Sequence, residues 1–160
     1  MFPIRHILHA TDFSAQSAAA FDVACALARD YSAKLTILHV WSPPPVYAPD
    51  GIAVPMTSED VYKARVSLAA IRPQDPTVKT EHVLAEGDPT EQILHHAREA
   101  SADLIVMGTH GSSGLTRLLM GSVAESVTRR AECPVLTLRK PVHSNLEASS
   151  PQLAPVAAAN

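Results

Sequence analysis

Four of the six glycines in this 160-residue chain fall between Gly108 and Gly121, directly after the apolar run Leu104-Ile105-Val106-Met107. A glycine at the end of a strand lets a ligand approach the backbone, which is the reading for Gly108, and Gly111 and Gly114 open positive φ to the loop. Gly121-Ser122 then opens a helix. There the N–H groups of Ser122 and Val123 and the Ser122 hydroxyl could hold a phosphate at the positive helix end. The arrangement is neither G-x-G-x-x-G nor a P-loop, since no Gly-Lys-Ser/Thr follows. The same residues admit a plainer reading, with glycines that mark turns and a Ser122 that only caps a helix.

Hydrolysis of a bound phosphoanhydride needs a positioned water and charge stabilisation. His110 and Arg117 are the candidates, each set against a solvated surface role. No carboxylate lies between Gly108 and Met120. A divalent cation would therefore be held mainly by phosphate oxygens and water, with Asp12 the nearest acid. Among the eight histidines, His95 and His96 are adjacent on a helix and point apart. His9 and His39 end neighbouring strands and are expected to form a hydrogen-bonded pair rather than a metal site, because no third ligand completes one. Such a pair would tie ligand binding to acidity near neutral pH. Ser112 and Ser113 lack an oriented base, so no nucleophile triad is visible. Cys25 and Cys133 form no CxxC pair and are expected to be reduced and buried.

Alternating strand and helix signals position these groups. Strands are expected over Ile4–Ala10, Lys34–Val40, Thr77–Ala85, Leu104–Met107 and Pro134–Leu138. Helices are expected over Ala15–Asp30 (capped by Ser14), from Ser58 to about Ile71, over Thr90–Ala100 behind Asp88-Pro89, and over Ser122–Ala131, with a short helical turn at Leu115–Met120. Five prolines between Trp41 and Pro55 leave that stretch a long loop. Strands alternating with helices pair in parallel by right-handed crossovers, so the fold class is α/β, doubly wound. Ligands in such sheets bind outside the carboxyl ends of the strands.

Composition agrees with one domain. Apolar residues make up 46% of the chain, and 25 of the residues are alanine against seven aromatics. The net charge of −3 lacks the basic excess of a general nucleic-acid binder. No apolar run approaches the roughly 18 residues of a membrane span, and no signal peptide is evident at the start, so a cytoplasmic protein without a membrane partner is expected. Residues 141–160, rich in Ser, Pro and Ala, are expected to be a disordered tail.

The motifs together resemble the universal stress protein family. Gly108, two residues, Gly111, nine residues, Gly121 and Ser122 are similar to that family's nucleotide-binding pattern. Ile7–Ser14, Leu38-His39-Val40, Glu86-Gly87-Asp88-Pro89 and Ala131–Leu136 look like its other hallmark segments, in order, over about residues 3 to 139. The resemblance implies a five-stranded parallel sheet in order 3-2-1-4-5 within a domain covering 1–140, and membership of the ATP-binding subgroup. By that likeness Ala10, Thr11 and Asp12 meet the adenosine end, and Val40 meets adenine through its backbone. Met107 and Gly108 lie along the ribose, and Gly111, Gly121, Ser122 and Val123 surround the phosphates. ATP with Mg²⁺ would be the ligand, with slow or no hydrolysis, and an unidentified protein would read the bound state. A homodimer through the uncharged edge strand Val135–Leu138 is also implied. Against this regulatory reading stand a weak ATPase or phosphotransferase, and an interaction module that no longer binds nucleotide. The resemblance also leaves one departure, a proline-heavy second crossover with a short helix.

Overall fold

The computed structural model describes residues 3–42, 58–109 and 121–139. They form β1 (His6–Thr11), α1 (Ala15–Tyr31), β2 (Lys34–Trp41), α2 (Ser58–Ala70), β3 (Thr80–Glu86), α3 (Pro89–Glu99), β4 (Leu104–Gly108), α4 (Ser122–Arg130) and β5 (Val135–Leu138). All neighbouring strands pair in parallel, in the order β3-β2-β1-β4-β5. The expected α/β class and strand order are both observed.

Alternation along the strands builds two cores. Ile7, Leu35, Ile37, Leu104 and Val106 face α1 and α2, where they meet Ala20, Ala24, Ala28 and Leu68. Leu8, Ala10, Leu38, Ile105 and Met107 face the other way, onto Ile93, Leu94, Ala97, Ala124 and Val127 of α3 and α4. Small residues at the Ala20-Ala24-Ala28 spacing let α1 lie close to the sheet. Serine 14 caps α1 by accepting the Ser17 N–H at 3.2 Å, and Ser32 closes it in the left-handed region (φ 53°).

Three strands start later than the sequence suggests, β5 by a single residue at Val135. The first begins at His6 rather than Ile4, where the Asp103 carboxylate accepts the Arg5 and His6 N–H groups at 2.7 and 3.0 Å. The third begins at Thr80 rather than Thr77, because Asp75 takes both the Thr77 N–H (2.9 Å) and its hydroxyl (2.6 Å) in a local turn. Between β3 and α3, Gly87 has φ 130°, a conformation that L side chains rarely adopt. Its N–H donates to the Trp41 carbonyl at 3.0 Å and ties the end of β2 to the start of α3. The proline-rich stretch beyond Ser42, the short turn expected at Leu115–Met120 and the expected tail 141–160 lie outside the described residues, save that α2 already begins at Ser58.

Gly108 also has a packing reason that the sequence did not reveal. A Cβ there would lie 3.1–3.2 Å from Gln16 Cβ, the Gln16 carbonyl carbon and the Ser17 nitrogen. The missing side chain makes room for the first turn of α1, two of the three obstructing atoms being backbone. Gly108→Ala is expected to destabilise the fold by ~1–3 kcal/mol in urea unfolding, as overpacking does. A loss below ~0.5 kcal/mol would show that α1 yields instead.

Candidate functional site

The chain runs outward from β1 to β2 and β3, then returns to β4 beside β1. At that reversal the carboxyl ends of β1, β2 and β4 face the N-termini of α3 and α4 across a cavity of about 250 Å³. Its walls hold Ala10, Thr11, Asp12, Val40, Met107, Gly108, Gly121, Ser122 and Val123. Every residue that the sequence singled out for a ligand is therefore at this cavity except Gly111, which lies outside the described residues along with His110, Ser112, Ser113 and Arg117.

The cavity has an apolar slot and a polar rim. Ala10, Leu38, Val40 and Met107 form the floor, and Pro89, Ile93, Val123 and Ala124 face them from the helices. Ser17, Leu38, Pro89, Ile93, Thr109 and Ala124 were not singled out from the sequence. Strand alternation pairs Leu38 with Val40, and the four-residue spacing of Pro89 and Ile93 puts both on one helical face. Ser17 and Thr109 carry no comparable signal.

The rim begins with a tight turn. Phe13 sits at φ 64°, rare for a bulky residue. Hydrogen bonds on either side hold it there, since the Thr11 hydroxyl accepts the Phe13 N–H (3.1 Å) and the Asp12 carboxylate accepts the Ser14 N–H (3.1 Å). The Ser17 hydroxyl donates to the Ser14 carbonyl at 2.9 Å and lies 3.1 Å from the Thr11 hydroxyl. Asp12 is thereby presented at the cavity mouth on a fixed backbone.

The helix ends differ in what caps them. Asp88 caps α3 by accepting the Glu91 N–H at 3.0 Å, with Pro89 in the first turn. At α4 the cap is Gly121, not Ser122 as the plainer reading expects, and it has no side chain with which to bond the first turn. Gly121 spends its own N–H on the Thr109 carbonyl at 2.7 Å. The donors directed at the cavity therefore belong to Ser122 and the residues after it. The far end of α4 is clamped to α3 by two bonds from Arg130 to Glu91, at 2.6 and 3.1 Å.

His9 and His39 do not pair. In the parallel register His9 stands opposite Ile37, and His39 opposite Thr11. His9 Nδ1 bonds the Val106 carbonyl at 3.0 Å and its ring tilts against Phe21; His39 Nδ1 bonds the Thr11 carbonyl at 2.8 Å and its ring lies 4.2 Å from that of Phe13. The acidity link that rested on their pairing loses its geometry. Among the described residues no group of three or more His, Cys, Asp or Glu could hold a metal. Both cysteines are half-buried rather than fully buried. Burial pushes the Cys25 thiol up to about 12 and also raises that of Cys133, so neither is a ready nucleophile at neutral pH.

A switch-point cavity floored by parallel strands and backed by a helix N-terminus is where proteins of the doubly wound α/β class bind ligands, and this chain has that fold and that cavity. The sequence matches the universal stress protein family over residues 3–139, and the chain belongs to that family. It is 35% identical over 145 residues to universal stress protein YxiE of Bacillus subtilis, spanning 83% of this chain and 97% of that protein. A solved universal stress protein in complex with cAMP is 27% identical, with a TM-score of 0.57 over 86% of this chain and 99% of that one. The universal stress protein of Archaeoglobus fulgidus in complex with dAMP shares the fold at 20% identity, with a TM-score of 0.59 over 86% of this chain and 98% of that one. Among the described residues no helix is long and apolar enough to cross a membrane.

Proposed function

We propose that the chain is an ATP-binding regulatory protein of the stress response, with slow or no hydrolysis, acting as a homodimer in the cytoplasm. The observation that carries this reading is the single cavity into which the apolar slot, Asp12 and the first turn of α4 all open. The lining fits the parts of an adenine nucleotide. The slot between Val40, Met107, Pro89 and Ile93 takes a flat apolar base. The Asp12 carboxylate suits ribose hydroxyls, and the first-turn N–H groups of Ser122 and Val123 suit phosphates. Mg²⁺ would ride on the phosphates, since Asp12 is the one carboxylate among the described residues of the lining. The complexes of relatives with cAMP and dAMP support an adenine ligand.

Calorimetric titration of Mg-ATP into nucleotide-free chain tests the reading. Binding at roughly micromolar Kd is expected, and no heat of binding at millimolar ligand overturns it. Phosphate release that turns over many times per chain would favour an enzyme instead.

The β5 edge supports the dimer. It is a sheet edge of four uncharged residues with Leu136 37% exposed at its centre. Light scattering at micromolar concentration is expected to give the mass of two chains, and that of one for Leu136→Lys. A one-chain mass for the native protein contradicts the proposal.

A further inference from the structure

Thr109 touches both the cavity and the edge strand. It is 3% exposed and lines the cavity beside Met107 and Gly121. Its carbonyl accepts the Gly121 N–H at 2.7 Å, which fixes the cap of α4. Its own N–H donates to the Leu138 carbonyl at 2.9 Å, and its hydroxyl donates to the same oxygen at 3.1 Å. A carbonyl oxygen has two lone pairs, and Thr109 meets Leu138 with two donors. The backbone bond continues the β4–β5 ladder, in which Gly108 pairs with Leu138. The hydroxyl bond adds a side-chain restraint from the same residue whose carbonyl holds Gly121.

We propose that Thr109 is a positioning residue that couples nucleotide occupancy of the cavity to the order of the β5 edge. A ligand seated on the first turn of α4 loads Gly121. Gly121 loads the Thr109 carbonyl, and the doubled bond passes the restraint to Leu138. The second copy of this chain that pairs along Val135–Leu138 then meets a stiffer edge when the cavity is filled. By linkage, pairing at the edge tightens the nucleotide by the same factor. This inference rests on the nucleotide reading above, and deepens it by naming how the bound state reaches a surface.

The test compares the native chain with Thr109→Val, which deletes the hydroxyl, and Thr109→Ser, which keeps it. Hydrogen exchange is measured on full-length protein with and without Mg-ATP, alongside calorimetric titration of each. Mg-ATP is expected to slow exchange about tenfold both at Gly121–Ala124 and at Val135–Leu138 in the native and Ser chains. In the Val chain, whatever its affinity, Mg-ATP at saturation should slow Gly121–Ala124 only. Loss of fold alone would instead raise exchange with and without ligand, and the Ser variant would not be distinguished by its hydroxyl. Equal protection of β5 in the Val chain overturns the coupling. Binding heat without β5 protection in the native chain overturns the coupling alone, while absence of heat overturns both it and the nucleotide reading.

Discussion

Gly121→Asp is expected to abolish ATP binding while leaving the protein as stable as before, or more so. Gly121 is the cap of α4 with φ −61° and ψ 147°, a backbone open to any L residue. Aspartate is among the best capping residues and stabilises a helix by about a few tenths of a kcal/mol over a glycine cap. Here its carboxylate would accept the first-turn N–H groups that the account reserves for phosphate. It would also place a negative charge within a few ångströms of the ligand's own, a repulsion of ~4 kcal/mol at intermediate dielectric. Affinity should fall at least ~100-fold by calorimetry, with an unchanged or raised Tm. Unaltered affinity would show that the phosphates lie away from α4. A collapsed Tm would show that the position is not a helix cap.

The second large effect is on stability in mild acid. His9 is fully buried, and among the described residues its Nε2 has no hydrogen-bond partner. Burial lowers its pKa to about 4, against the opposing pull of the Val106 carbonyl and the Asp12 charge. The folded chain therefore keeps His9 neutral where the unfolded chain takes up a proton. Stability from this group is complete above the unfolded value near 6.5. It is lost as pH falls from there to about 4, for a total of ~3 kcal/mol. Between pH 7 and 5 the native chain should lose about 2 kcal/mol in urea unfolding, a window above most carboxylate titration. His9→Leu should show little of that loss, although it gives up the bond to Val106. An equal loss in both chains would assign the acid sensitivity elsewhere.

Sequence patterning anticipated most of the cavity lining because its parts are strand ends and helix starts. Apolar runs ending at Thr11, Val40 and Gly108 had to deliver their following residues to one edge of a parallel sheet, and Gly121-Ser122 had to start the helix that faces them. What was missed depends on register and packing distance, which no local pattern encodes. His9 and His39 end neighbouring strands, yet a stagger of two residues sends each ring to a backbone carbonyl. The packing role of Gly108 was missed because the closeness of Gln16 and Ser17 is a property of how α1 packs. Ser122 was offered as a cap, but the chain enters the helix one residue earlier, so the cap falls on a residue with no side chain. Thr109 was passed over because its importance lies in Leu138, 29 positions away.

The central claim is that one cavity receives the whole nucleotide, with its base on the sheet and its phosphates on α4. Amide chemical-shift mapping during titration of Mg-ATP into the full chain tests it most directly. Saturable shifts are expected at Thr11, Asp12, Val40 and Ser122–Ala124, with one shared Kd. Shifts confined to other surfaces, such as the second cavity beside Arg98 and Cys133, or no shifts at saturating ligand, would contradict it.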